Sequence, residues 1–571
     1  MKLNQVKGVT LSALFLSICS ANTFAANPTQ LPQPEPMTNI KGVIIEEPVQ
    51  LKQKTQKRRS KRSVPLRAPV VEANDWYNLS PEEDNIEGSS VNKVYNQLSL
   101  TNKYKPVIVA VIDSGVDIKH EDLQGKIWEN SREIPNNGID DDGNGYVDDI
   151  HGWNFIGGKD GRHVNYDTLE ITREYAKYQA LLASGAYIPA KKKAYYEELS
   201  KTFQDEVKET TETRDRYVNY QAQIKENKAL LSTYNYNDFS KEGLSSINSD
   251  IEEVVVARDF LLKILDLFGK YEKVDSRAEY YANKLAYNYN TEFDPRTDIV
   301  KDNPNNFWET GYGNNDVTGP DSDHGTHVSG IIAADRHNDI GIKGIAENVK
   351  IMVLRAVPNG DERDKDIANA VRYAVDNGAS IINMSFGKSY SPNKAKLDLA
   401  FEYASNAGVL LVHAAGNDSN NNDEKPRYPN RNFKSFPGYK ISNWLDVGAS
   451  SANKGEDLPA SFTNFGKRTV DIFAPGVKIL STIPGNQYAK YSGTSMATPV
   501  VSGIAALTLS QYPYLDGYYL KYMLLNTGRE YPGLEVKQPD TPETKVEFSE
   551  LSKTGSVADA YTLLRNFKQG Q

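Results

Sequence analysis

The run "VIVAVID" (Val107–Asp113) is apolar throughout until it ends in an acid. A strand with one wet face alternates polar and apolar residues. A strand covered on both faces is continuously apolar, as buried parallel strands are. The same type recurs in "KIMVLRAV" (Lys350–Val357), "ASIINMSF" (Ala379–Phe386), "GVLLVHAAG" (Gly408–Gly416) and "LDVGAS" (Leu445–Ser450). Helical stretches lie between several of them. One is "DKDIANAVRYAVDNG" (Asp364–Gly378), which closes on a glycine suited to a helix C-cap. Strands alternating with helices predict an α/β fold, a three-layer, doubly wound, mostly parallel sheet.

At 571 residues the chain has room for two or three domains, or one large domain with insertions. A net charge of −9 argues against a general nucleic-acid binder. Lys2 and Lys7, the apolar run Val9–Cys19 and the small residues of Thr23–Ala26 follow the order of a secretory signal over 1–26. The run is too short to span about 30 Å of hydrocarbon, and no other stretch approaches a transmembrane helix. The expected location is secreted, periplasmic or cell-surface. The alternative is lipidation at Cys19, the only cysteine, although Ile18 stands where such signals usually need a small residue. A chain without its signal then has no disulfide, so core packing or bound metal must stabilise it.

Residues 27–75 are expected to be poorly ordered. Prolines come first, then the basic run "KQKTQKRRSKRS" (Lys52–Ser63), which fits either a protease-sensitive end of a pro-segment or a solvated tail. An inhibitory pro-segment this short would act as an extended strand, through "GVIIEEPV" (Gly42–Val49). The main domain is expected over 76–164 and 293–535, with a C-terminal extension over 536–571. Between its halves, residues 165–292 are rich in Lys, Glu and Tyr and predict an inserted α-helical hairpin or bundle. No Gly or Pro interrupts Ala190–Tyr234, which allows one helix of about 65 Å. Tyr196, Phe203, Tyr217, Ile224 and Leu231 share a heptad position on it, with Thr210 in the gap. A second helix, near Ile247–Phe268, carries Ile247, Ile251, Val254, Leu261, Leu265 and Phe268 on one face. A third starts at the capping-box pattern "SRAE" (Ser276–Glu279).

Acyl-transfer hydrolysis needs a nucleophile, a base, an orienting acid and an oxyanion donor. Four segments carry such residues. "AVIDSGVD" (Ala110–Asp117) puts Asp113 at a strand's C-terminal end, where ligands gather in open α/β sheets. "DHGTHVSGIIAA" (Asp323–Ala334) puts His324 at the opening of an apolar helix. "VHAAGND" (Val412–Asp418) puts Asn417 just past another strand. "YSGTSMATPVVSGIAAL" (Tyr491–Leu507) puts Ser495 where a glycine-bearing turn enters a helix of small residues, with Pro499 expected in its first turn. Singly, these residues also suit a strand-end turn acid, a turn asparagine and a helix N-cap. His324 and His327 do not form a zincin pair, which needs H-E-x-x-H. His327, one turn along, is expected to be structural.

The chain order Asp, His, Ser, with "VIVAVIDSGVD", "HGTHVSG", "GTSMATP", "AAGN" and "NMSFG", resembles the subtilisin-like serine proteases (subtilases). The resemblance covers about 76–160 and 300–530, not the inserted helices. It implies a subtilisin-like fold and a peptide or protein substrate. It implies that Ser495 attacks the peptide carbonyl, His324 moves the proton and Asp113 orients the imidazole. The Asn417 amide and the Ser495 N–H would meet the oxyanion. "NMSFG" (Asn383–Gly387) would pair with extended substrate backbone. Ser385, Phe386, Gly387 and Gly416 would then shape a pocket for an apolar side chain. The expected activity is that of a secreted serine endopeptidase. The alternatives are a narrow-specificity processing protease, with the insertion limiting access, or an inactive scaffold that binds partners through the insertion. Oligomeric state is not legible.

"GIDDDGNGYVDDIHG" (Gly138–Gly152) is dense in acids. Asp140, Asp142, Asn144 and Gly145 match the opening of an EF-hand-type loop, Tyr146 would give a carbonyl, and Asp148 falls at the ninth position. The twelfth is His151 rather than the bidentate Glu, so the set is incomplete, and Asp149 is a candidate to close it. Hard carboxylate oxygens without sulfur favour a structural Ca²⁺.

Overall fold

The computed structural model describes residues 75–569 and the backbone of Ile44–Pro48. The signal over 1–26, Cys19 and the basic run Lys52–Ser63 lie outside the described residues. No helix among the described residues is long and apolar enough to cross a membrane.

The strands are β1 (Ile44–Pro48), β2 (Val107–Asp113), β3 (Gly152–Asn154), β4 (Val349–Arg355), β5 (Ile381–Met384), β6 (Leu410–Ala414) and β7 (Trp444–Ser450). They continue with β8 (Ile472–Pro475), β9 (Ile479–Ile483), β10 (Gln487–Ser492), β11 (Arg529–Glu530), β12 (Glu535–Gln538), β13 (Thr541–Glu547) and β14 (Ser556–Val557). Nine of them form one sheet in the order β11-β14-β8-β7-β6-β5-β2-β4-β3. All its pairings are parallel except β11 with β14. Each apolar run singled out in the sequence carries one of its central strands. From β2 the chain runs to β3 and β4 on one side and then to β5 on the other, so the strand order reverses at β2. In open α/β sheets that reversal opens a crevice at the strands' C-terminal ends.

Two helices lie in α1 (Pro81–Asp84) and α2 (Val91–Gln97) before β2. The inserted segment holds α3 (Glu170–Ala183), α4 (Ala190–Thr233), α5 (Lys241–Ser245), α6 (Glu252–Phe268) and α7 (Glu272–Asn283). The rest are α8 (Asp323–Ala333), α9 (Asp364–Asp376), α10 (Lys394–Asn406), α11 (Thr494–Gln511), α12 (Gly517–Asn526) and α13 (Ala560–Gln569). Period-2 alternation along β2 makes the three layers. Val107, Val109 and Val111 enter a core shared with Val328 and Ile331 of α8 and Val500 and Ile504 of α11. Ala110 and Ile112 enter the opposite core, with Ile367 and Val371 of α9 and Leu397 and Phe401 of α10. Burying one Val or Ile side chain is worth about 1.5–3 kcal/mol, so the paired faces hold the strand in register.

The last residues are not a separate extension. β14 pairs with β8, and Ala560, Leu563 and Leu564 of α13 join the α8–α11 core. Within the span expected to be poorly ordered, Ile44–Pro48 form a strand. It pairs antiparallel with β10, Ile44 opposite Ser492, in a small sheet ordered β1-β10-β9. That edge is not the Ser385–Gly387 edge.

Residues 216–276 form a compact unit of their own, while 75–215 and 277–569 belong to the larger one. The smaller unit is therefore shorter than the helical span 165–292. In it, Phe268 packs edge-on against Tyr217 and Tyr220, and Gln221 donates to Asp275 at 2.7 Å. The Gly- and Pro-free stretch is one helix, α4, and every residue of its heptad stripe is buried, Thr210 included. Two expectations fail nearby. Ile251 is an exposed residue preceding α6, because that helix starts later than its apolar pattern. Ser276 is not a cap. α7 already begins at Glu272, whose carbonyl accepts the Ser276 hydroxyl at 3.0 Å, the back-bonding that serines make inside helices.

Candidate active site

Asp113 closes β2, and its carbonyl accepts the N–H groups of Ala356 and Val357 at 2.9 and 3.1 Å. Its buried Oδ1 accepts the Ser114 N–H at 2.7 Å and faces His324 Nδ1 at 2.7 Å. His324 is the second residue of α8, so a rigid helix holds the ring. Gly325 makes the approach possible. A Cβ there would lie 2.1 Å from the Gly115 carbonyl oxygen and 3.2 Å from Asp113 Cβ.

Ser495 is the second residue of α11. Its Oγ donates to the Ser385 carbonyl at 3.1 Å, and the Ser385 Oγ donates back to the Ser495 carbonyl at 3.0 Å. Pro499 explains the second bond. It lies in the interior of α11, not in the first turn. Lacking an N–H, it leaves the carbonyl four residues back, that of Ser495, without its helical donor. The Ser385 hydroxyl replaces that donor, and the Asn383 amide donates to the same hydroxyl at 2.9 Å. β5 pairs with β2 through Asn383–Val111 and Met384–Ile112, so Ser385 continues β5 beside the end of β2. Ser495 is thus tethered at the strand end that carries Asp113. His324 Nε2 makes no hydrogen bond among the described residues. In this resting arrangement the serine hydroxyl points to Ser385 rather than to the imidazole.

Asn417 follows β6. Its Oδ1 accepts the Thr494 N–H at 2.8 Å and the Thr494 hydroxyl at 2.9 Å, which fixes the amide plane and makes its NH₂ end the donating one. The first turn of a helix has N–H groups with no intrahelical partner, and the Ser495 N–H belongs to it. A cavity of about 160 Å³ is lined by Phe386, Gly387, Gly416, Asn417 and Ser495, with Asp361 and Glu362 on its wall. Ser385 lies behind this surface and acts on it through Ser495. Asp361 and Glu362 escaped the sequence reading, because nothing local to a charged loop before a helix says that it faces a cleft.

His327 is fully buried, stacks on Tyr491, and its Nε2 lies 3.0 and 3.1 Å from the carbonyls of Ile479 and Ala489. It joins α8 to the β9–β10 hairpin. Burial pulls its pKa down to about 3 from the ordinary 6.5. The folded state therefore refuses a proton that the unfolded chain accepts below pH 6.5, so stability present above that pH is lost as pH falls toward 3. A Ser495→Ala protein should lose about 2 kcal/mol through His327 between pH 7 and pH 5. His327→Gln should melt lower at pH 7 but with a shallower pH slope, and an unchanged slope would remove His327 from the account.

In the acidic loop, Asp140 and Asp142 come together with Glu133, one oxygen from each lying within 4.8 Å of the others. Asp140 also accepts the N–H groups of Asn144 and Gly145, and Asp142 pairs with Arg132 at 3.0 Å, while the other predicted ligands do not join the cluster. The Asp148 carboxylate accepts the N–H groups of Asn137 and Gly138 at 3.0 and 2.9 Å. Asn144 Oδ1 accepts the Tyr146 N–H, and its Nδ2 donates to Asp149. Asp149 also binds Asn130 and the Tyr373 hydroxyl, and burial raises its pKa to about 6. Tyr146 packs its ring against Trp153 and Tyr373. Glu133 precedes the loop motif, so no spacing rule points to it.

A model of the subtilase family matches residues 104–548. The thermophilic serine proteinase of Bacillus sp. (strain AK1) is 44% identical over 191 residues, 33% of this chain and 43% of that protein. The thermostable alkaline protease of Halalkalibacterium halodurans is 40% identical over 191 residues, 33% of this chain and 48% of that protein. Thermitase of Thermoactinomyces vulgaris is 39% identical over 189 residues, 33% of this chain and 61% of that protein. The chain thus spans about half the length of these relatives. The family match runs through the α/β core and all four motif segments, and the chain belongs to the subtilase family.

Proposed function

We propose that the chain is a serine endopeptidase that hydrolyses peptide bonds through an acyl-enzyme, with Ser495 as nucleophile, His324 as base and Asp113 as orienting acid. The observation that carries this reading is the buried 2.7 Å contact between His324 Nδ1 and Asp113 Oδ1, at the strand end beside which Ser495 is tethered. An Nδ1–H donating to Asp113 makes Nε2 the lone-pair nitrogen. Rotation of Ser495 Oγ from the Ser385 carbonyl to Nε2 opens the reaction. Oγ bonds to the substrate carbonyl carbon, its proton passes to Nε2, and the carbonyl π electrons move to oxygen. The Asn417 amide and the Ser495 N–H donate to that oxyanion. When it collapses, the C–N bond breaks and the imidazolium protonates the leaving amine. Water then gives a proton to the same nitrogen and attacks the acyl carbon; the C–Oγ bond breaks, and the imidazolium returns that proton to Ser495 Oγ. The edge Ser385–Phe386–Gly387 pairs with the extended peptide. A serine-directed fluorophosphonate should label the protein once, on Ser495. An adduct elsewhere, or none, counts against the reading. The secretory order of residues 1–26 supports export.

Glu133, Asp140 and Asp142 fit a Ca²⁺ ion, being hard oxygens without sulfur or imidazole. Bound there, the ion would tie Glu133 to the loop after it, a crosslink suited to a chain without disulfides. At a hundredfold excess over Kd such a site stabilises by about 3 kcal/mol. Chelation should lower Tm by several degrees, and Ca²⁺ but not Zn²⁺ should restore it. Asp140→Asn should abolish the response, and a Tm indifferent to chelator would refute the site.

A further inference from the structure

The wall of the cavity beside Ser495 is built by Asp361 and Glu362, on the loop between β4 and α9. Charges crowd behind it. Lys388, one residue past Gly387, is buried and lies 2.8 Å from both Glu170 and Asp364. Arg173 of α3 pairs with Glu170 at 2.6 Å and donates to the carbonyls of Asp361 and Glu362 at 3.3 and 3.4 Å. Arg363 pairs with Asp167 at 2.8 Å. Every cation behind the wall is therefore committed to Glu170, Asp364 or Asp167. Among the described residues, neither Asp361 nor Glu362 has a cation within ion-pair distance.

Asp361 accepts the Glu170 N–H at 2.8 Å. Glu362 has less. It is 3% exposed, and its Oε1 is buried with no hydrogen-bond partner among the described residues. Burial first, then the neighbouring Asp361 and Asp364, pushes its pKa up to about 8 against the pull of Lys388. Burial thus favours its neutral form, and a cation brought beside it would favour the charged one, while leaving the buried acceptor unmet costs about 1–3 kcal/mol. The only cation lining the cavity among the described residues, Arg427, is already paired with Asp418 at 3.1 Å. A cationic group entering the cavity would meet that acceptor.

We infer that this wall is a cation-binding subsite, in which Glu362, seconded by Asp361, receives a Lys or Arg side chain of the bound peptide next to the scissile bond. The inference rests on the peptidase reading and names the side-chain class it selects. Charge-assisted hydrogen bonds to a carboxylate are the strong kind, and in a desolvated cleft they discriminate against a neutral side chain that leaves the acid unmet. Glu170 and Arg173 are positioning residues. Through them the first helix of the inserted segment holds the cleft loop in place, which gives that helix a part in specificity. The chain itself carries a stretch of matching chemistry, "KQKTQKRRSKRS" (Lys52–Ser63).

The test is a digest of a peptide library by the full chain, randomised on both sides of the cleavage point. It is followed by kcat/KM on paired peptides that differ only as Lys or Arg against Gln, and on a synthetic peptide of residues 50–66. The wild type should prefer the cation at one position by at least tenfold, and should cut the 50–66 peptide beside a Lys or Arg. Glu362→Gln should reduce that preference ratio at least fivefold, and the ratio is the readout, whatever happens to overall rate. Should Glu362→Gln fail to fold, Asp361→Asn should reduce the ratio in the same direction. The wild-type ratio should also shrink as salt is raised. A wild type that cleaves neutral peptides with no cation preference at any position overturns the subsite alone. So does a preference unchanged in both variants. A wild type that cleaves no peptide overturns the peptidase reading and the subsite with it.

Discussion

On the proposed mechanism, Ser495→Ala should remove peptide hydrolysis, with kcat/KM falling by about 10⁶, or roughly 8 kcal/mol of transition-state stabilisation. The size follows from the role proposed for the residue: if its Oγ is the protein atom that bonds to the substrate carbon, its loss removes the acyl-enzyme path and leaves only the oxyanion donors and binding. His324→Ala should cost about as much, and the double variant little more, because the two act as one unit. Both proteins should fold. Among the described residues, the Ser495 hydroxyl makes a single hydrogen bond, to Ser385, worth about 1 kcal/mol. Measured Tm and peptidase kinetics separate the outcomes. Residual activity above a thousandth of the parent in Ser495→Ala would assign the chemistry to another group.

Gly325→Ala should lower kcat at least about a hundredfold, through a single methyl group that touches no substrate. The added Cβ would meet the Gly115 carbonyl oxygen at 2.1 Å, backbone against backbone. Gly115 cannot retreat. It has φ +115 and sits so close to Thr318 that its own ideal Cβ would be 2.2 Å from the Thr318 carbonyl oxygen. The strain must then move α8 outward, and α8 carries His324 away from Asp113. Overpacking of this kind costs about 1–3 kcal/mol of stability. Fluorophosphonate labelling of Ser495 should slow in parallel, because the base that activates it is displaced. Activity within threefold of the parent would mean that α8 can shift without the His–Asp contact noticing.

The opposing roles of neighbouring histidines show how far residue type alone carries. His324 and His327 share a helix and a motif. One meets a carboxylate at a strand end, and the other meets two carbonyls of a hairpin. The spacing placed them a turn apart, and the absence of an intervening Glu excluded the zincin arrangement. Pro499 is a similar case. The sequence placed it in the first turn, where it would orphan nothing; it lies in the helix interior, and the residue that repairs the lost bond, Ser385, comes from the end of another strand.

What the amino-acid sequence determined by itself is the part whose physics is local. Continuous apolar runs specify buried strands, a Gly- and Pro-free stretch specifies a long helix, and the order of the Asp, His and Ser motifs points to one family. The C-terminal strand β14 and helix α13 were invisible because their value lies in joining a sheet and a core built hundreds of residues earlier. The tertiary structure alone decided the rest. It brought Glu133 to Asp140 and Asp142, turned Asp148 onto backbone N–H groups, and set Asp361 and Glu362 against a cleft while the described cations behind it, Lys388, Arg173 and Arg363, pair with other acids. Charge balance and convergence of oxygens are properties of distance in space, and sequence spacing carries no record of them.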